Sequence, residues 1–106
     1  MISYDDFRKC DVRIGTIASA ERIPETDKLV LLTVDIGSEK RQIVAGIADT
    51  YEPGHLVGKK IPVLVNLVPR KIRGVESHGM ILAVDVGGKA ILLHPERDVP
   101  AGSTVR

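Results

Sequence analysis

The sequence predicts an all-β fold, a small closed Greek-key barrel with one short N-terminal helix. Three observations point there. The 106 residues contain five or six short segments rich in Val, Ile, Leu and Thr, several with the period-two alternation of half-buried strands. Glycines and prolines mark the corners between them. So few strands would leave many edges exposed in a sandwich, whereas closure into a barrel hides them. Within that class the OB-fold is the architecture expected. At this length residues 1–106 form one domain, because two cores would not fit.

The helix comes first. In SYDDFRKC, Ser3 is placed as N-cap, with Asp5 and Asp6 in the positive first turn and Arg8 and Lys9 near the end. Ser3 and Asp6 have the spacing of a capping box. From Asp11 the period changes. DVRIGTIASAERI reads as a long, bent strand in which Gly15 is expected to mark a bulge. KLVLLTVDIG follows, with Leu32, Val34 and Ile36 on one face, and Gly37-Ser38 turns the chain into KRQIVAGI. The polar stretch ADTYEPGHLVGKK is expected to be a loop holding one helical turn. KIPVLVNLV is the next strand, with Pro62 confined to its start or to an edge because it lacks an N–H for the ladder. GMILAVDV, the turn Gly87-Gly88 and KAILLH form a hairpin. The tail PERDVPAGSTVR is irregular and is expected to pack back onto the barrel.

Composition narrows the function. No apolar run approaches the roughly eighteen residues of a membrane span, and MISYDDFRKC has no hydrophobic segment of the secretory kind. The single Cys10 has no intramolecular disulfide partner, so a reducing cytoplasm is expected, and its thiol is expected to be inert and partly buried. Net charge is only +1, yet Lys59, Lys60, Arg70, Lys71 and Arg73 lie in one segment without an acid, leaving −4 for the remainder. Such concentration suits a focused anionic partner. Aromatic residues make up 3% of the chain: Tyr4, Phe7 and Tyr51. A binder of single strands by base stacking needs more platforms than that.

Chemistry is centred on NLVPRKIRGVESHGM, Asn66 to Met80. It gathers Glu76, Ser77 and His78, but adjacent residues on extended backbone point to opposite faces, so Ser77 and His78 cannot act as nucleophile and base. His55, His78 and His94 show no metal-ligand spacing, and neither metal nor cofactor is expected. GHLVGKK has three residues between its glycines where a P-loop needs four, and Lys60 where the motif needs Ser or Thr. No catalysis is expected. What remains is a basic turn, with Arg70, Lys71 and Arg73 bracketed by Pro69 and Gly74, residues that fix backbone shape.

DVRIGTI, TDKLVLLTVDIG, RQIVAGIA, VGKKIPVLVNLVPRKIRGVESHGMILA and VPAGSTV, in that order, resemble the tRNA-binding domain family over nearly the whole chain. The resemblance implies an OB-fold without catalysis that binds folded tRNA with little sequence preference. It occurs as stand-alone proteins or as a part or auxiliary subunit of methionyl-tRNA synthetases. Two positions depart from the family run: Val68 stands where lysine is usual, and His78 where Gln or Glu is usual. The implied roles are phosphate contacts from Arg70, Lys71 and Arg73, with Lys28 and Arg41 as additions from neighbouring strands. Asn66 and Ser77 would give neutral hydrogen bonds. Met80 would touch an exposed base or ribose, or else face the core. Stand-alone relatives imply a homodimer, through the helix and the AILLH hairpin, and a synthetase is a further possible partner. The same run also resembles the CsaA-type export chaperone, which implies the alternative of an apolar cavity for extended peptides.

Overall fold

The computed structural model describes residues 1–106. The chain begins with a short helix, α1 (Tyr4–Arg8), capped as its sequence demands. The Ser3 hydroxyl accepts the Asp6 N–H at 3.0 Å, and the Asp6 carboxylate accepts the Ser3 N–H at 3.3 Å. None of its residues is buried, and Cys10 just beyond it is exposed, contrary to the expected half-buried thiol.

The barrel is built on β1 (Val12–Arg22), β2 (Leu29–Asp35), β3 (Lys40–Gly46) and β4 (Lys60–Leu64). A single 3-10 turn at Pro53–His55 interrupts the β3–β4 connection, as the sequence suggested. Three hairpin or strand pieces follow: β5 (Arg70–Ile72) with β6 (Val75–Ser77), then β7 (Met80–Ile81), then β8 (Ala83–Val86) with β9 (Lys89–Leu92). The tail ends in β10 (Thr104–Val105). The main sheet runs β3-β2-β1-β4-β7, with β10 also on β1, and all its pairings are antiparallel.

β1 serves both halves of the barrel, pairing with β4 over Val12–Thr16 and with β2 over Thr16–Arg22. Its register slips at Ala18, between Ile17 and Ser19, and not at Gly15 as expected. Gly15 has another task. A Cβ there would drive into the γ-methyl of buried Val34, so the glycine lets β1 close down on β2. Pro62 also departs from expectation, for it is the middle residue of an interior strand. The ladder tolerates it because Ile14, its partner in β1, donates its N–H to Ser103 (2.8 Å) and accepts from Gly102 (2.7 Å). The missing donor faces Leu82, where β7 has ended and whose N–H donates to the Pro62 carbonyl at 3.0 Å.

The core fills the barrel with Ile17, Val30, Leu32, Val34, Ile43, Leu56, Ile61 and Val63, all fully buried. Leu32, Val34 and Ile36 share the inner face, as their spacing predicted. The tail is strapped down by Lys60, whose ammonium donates to Asp98 at 2.6 Å and to the Val99 carbonyl. The hydrogen bond and the charge of Lys60 hold the Asp98 carboxyl below its ordinary pKa. Near the other terminus Asp11 grips Arg13 through two bonds of 2.9 and 3.1 Å, hydrogen bonding first and charge second raising the guanidinium pKa. No helix is long and apolar enough to cross a membrane.

Candidate nucleic-acid interface

The NLVPRKIRGVESHGM run folds into a two-stranded ribbon, β5–β6, a separate sheet inserted in sequence between β4 and β7, which pair with each other. Register pairs Arg70 with Ser77, Lys71 with Glu76 and Ile72 with Val75. The two-residue loop Arg73-Gly74 has positive φ at both positions, 51° and 78°, the signature of a type I′ hairpin turn. Alternation therefore divides the cations. Arg70 shares a face with Ser77 and turns toward β3, Lys71 points the other way beside Glu76, and Arg73 occupies the tip. All three are exposed.

The acid-free segment seen in the sequence is thus divided in space. Lys60 is spent on Asp98 at the start of β4, a strand's length from the ribbon, and Glu76 stands across from Lys71.

Three of the sequence-selected residues prove to be structural. Ser77 is 3% exposed; its hydroxyl accepts the Val44 N–H at 3.0 Å and donates to the Gly79 carbonyl at 3.1 Å. Its one proton is used, and burial shields the oxygen. The Arg41 guanidinium is half-buried, donating to the Val65 (2.8 Å) and His78 (3.2 Å) carbonyls and to Glu39. Asn66 staples the start of β1 to the end of β4: its amide oxygen accepts the Asp11 N–H at 2.8 Å, and its NH₂ donates to Lys9 at 2.6 Å. These structural engagements share one origin. Each residue has at least one partner 24 to 57 residues away in sequence, where no local pattern reveals it.

Ser77 and Arg41 belong to the seam that closes the barrel between β3 and β6. Only the bond from the His78 N–H to the Gln42 carbonyl, 2.8 Å, is backbone to backbone there. Side chains make the rest, including Gln42, whose amide donates to the Glu76 carbonyl at 2.8 Å. The His78 ring turns outward, 3.1 Å from Glu76, while Ser77 points inward, so the pair diverges as strand geometry required.

Arg70 and Met80 are brought together. Both line a cavity of about 310 Å³ whose walls include Val44, Gly46, Ile81, Ala83 and Ala90, and Met80 is 40% exposed rather than turned into the core. Lys28 is exposed beside the same end of β3, one residue before Leu29, which pairs with Gly46. Sequence reasoning missed Lys40, an exposed cation that borders a second cavity with Arg41, Leu67, Pro69 and His78. Its adjacency to Arg41 was the available signal.

The family described as "Putative tRNA binding domain" matches residues 12–104. The chain is 56% identical over its full length to a methionine–tRNA ligase of Methanothrix thermoacetophila, of which it spans only 16%. Among solved structures, a MetRS-related protein from Pyrococcus horikoshii superposes with TM-score 0.94 at 42% identity, covering 100% of this chain and 98% of that one. The chaperone CsaA of Bacillus anthracis superposes with TM-score 0.91 at 32% identity, covering 100% and 99%. A barrel with this ribbon, matched along almost its whole length by that family, belongs to the tRNA-binding domain family.

Proposed function

We propose that this domain holds folded tRNA against the β5–β6 ribbon, through phosphate contacts that carry little sequence preference. The observation that supports this most is the ribbon itself. It presents Arg70, Lys71 and Arg73 at the surface, exposed and without an ion-pair partner among the salt bridges of the fold. Phosphate contacts fix position and orientation but do not read bases, and a surface poor in aromatic side chains suits the shape of structured RNA better than single strands. Lys28 and Lys40 flank the ribbon on the β2–β3 side. The reading asks for no catalytic group, cofactor or metal. A synthetase is the partner the relatives suggest: the domain would retain tRNA while a separate catalytic unit acts on it.

The test is a gel-shift titration with bulk tRNA in competition with a denatured peptide, comparing wild type with the Arg70→Ala, Lys71→Ala, Arg73→Ala variant. Wild-type log affinity should fall linearly with log salt by roughly 0.7–0.9 per phosphate neutralised, and the triple variant should lose about two to three such contacts from the slope. Affinity independent of salt contradicts the proposal. The chaperone reading rests on the CsaA likeness and the apolar cavity; loss of peptide binding with RNA binding intact would favour it.

A further inference from the structure

The cavity shared by Arg70 and Met80 has a feature that phosphate binding does not use. Gln42 and Val44 direct their backbone groups away from β2 and into the seam, where His78 and Ser77 meet them. Strand alternation sends the N–H and C=O of Gly46 the same way, but the seam has ended by then, and neither group appears among the bonds made outside the ladder. Gly46 is exposed and borders the cavity. The floor of the cavity is therefore a short open strand edge, bare of side chain at Gly46. Its walls are apolar, and Arg70 is the one charge among its lining residues.

We infer that this cavity receives a single unstacked nucleobase of the bound RNA, with Arg70 on the adjoining phosphate. A nucleobase has flat apolar faces for Met80, Ile81 and Ala83, and an edge of donors and acceptors for the backbone of Gly46. The volume, about 310 Å³, lies at the small end of ligand sites, roughly 300–1,000 Å³. An extended peptide adding to the edge needs alternate residues of free ladder, and here the free stretch is about one residue long. A lone cation beside an apolar slot also matches one nucleotide better than an uncharged peptide. The inference rests on the RNA-binding reading and sharpens it: the preferred RNA is a folded one with an unpaired nucleotide, since a continuous duplex offers no base to the slot.

Gly46 provides the test. A Cβ there meets only Leu29, at 4.0 Å, so Gly46→Leu is accommodated and sets a bulky side chain at the border of the slot while every cation stays in place. Two RNA stems with the same base pairs would be titrated, one fully paired and one carrying a single bulged 2-aminopurine. Wild type should bind the bulged stem about tenfold more tightly, with a change in probe fluorescence. In Gly46→Leu both effects should vanish while affinity for the paired stem is kept. Gly46→Val serves if the larger side chain prevents folding, as judged by a circular dichroism melt. Equal affinity of wild type for the two stems overturns the inference, as does a preference that survives Gly46→Leu. Peptide capture that Gly46→Leu abolishes, with bulge recognition intact, reassigns the slot to peptide. Failure to bind either stem is a different result, since it removes the RNA-binding reading itself.

Discussion

At Arg73 the backbone φ of 51° places a long side chain in the left-handed region, where a residue with a Cβ is disfavoured by roughly 1–2 kcal/mol. The type I′ turn prefers Asn-Gly in these two positions, so the arginine is a poor choice for folding. Strain at an exposed tip directs attention to what the guanidinium does there. Arg73→Asn should raise stability by up to about 1 kcal/mol, seen as a higher midpoint in thermal or urea unfolding, and weaken tRNA binding in the same preparation. If affinity is unchanged, the tip does not touch RNA. Val68 is a quieter case. It is 83% exposed at the root of the ribbon, so the lysine that the family resemblance implies there would cost nothing in burial.

Among the elements, strands and turns were largely legible from the sequence. Alternation located β1 to β4, and Gly87-Gly88 located the β8–β9 hairpin, whose turn has positive φ at both glycines. The ribbon was harder. Its Pro69 and Gly74 announced a fixed backbone shape, and the turn at Gly74 is real, but the seam beside it could not be foreseen. A serine that will bond a strand amide across the barrel looks, in sequence, like a serine facing water. Ser77→Ala should separate the two roles. It leaves the buried Val44 N–H without an acceptor, a loss of roughly 1–3 kcal/mol, so the unfolding midpoint should fall. The affinity of the remaining folded protein for tRNA should barely move. A selective loss of RNA binding at unchanged stability would return Ser77 to the contact set.

Over the whole molecule, two exposed apolar surfaces lie apart from the ribbon and its cavity. One is α1 with its surroundings, where Ile2 and Tyr4 are largely exposed and Phe7 is 42% exposed. The other is the outer face of the β8–β9 hairpin, where Val84, Val86 and Ile91 stand together by register. These are the surfaces the sequence nominated for self-association, and a second copy is the occupant we propose. Sedimentation at micromolar concentration should give a two-chain species, and a charge at Val86, as in Val86→Glu, should yield single chains; a monomeric wild type rejects the pairing. Two ribbons on one particle would raise avidity for any RNA long enough to reach both.

The stitch made by Asn66 has a consequence for whatever is joined to this domain. It pins Lys9 and Asp11 to the loop from which the ribbon rises, and β10 lies beside the first residues of β1. Both ends of the fold thus emerge at the foot of the β5–β6 ribbon. A catalytic unit tethered at either end by a short linker would be confined within a few nanometres of the held RNA, at an effective concentration on the order of millimolar. The domain would then act by shortening the search, so that a released tRNA is recaptured before it diffuses away.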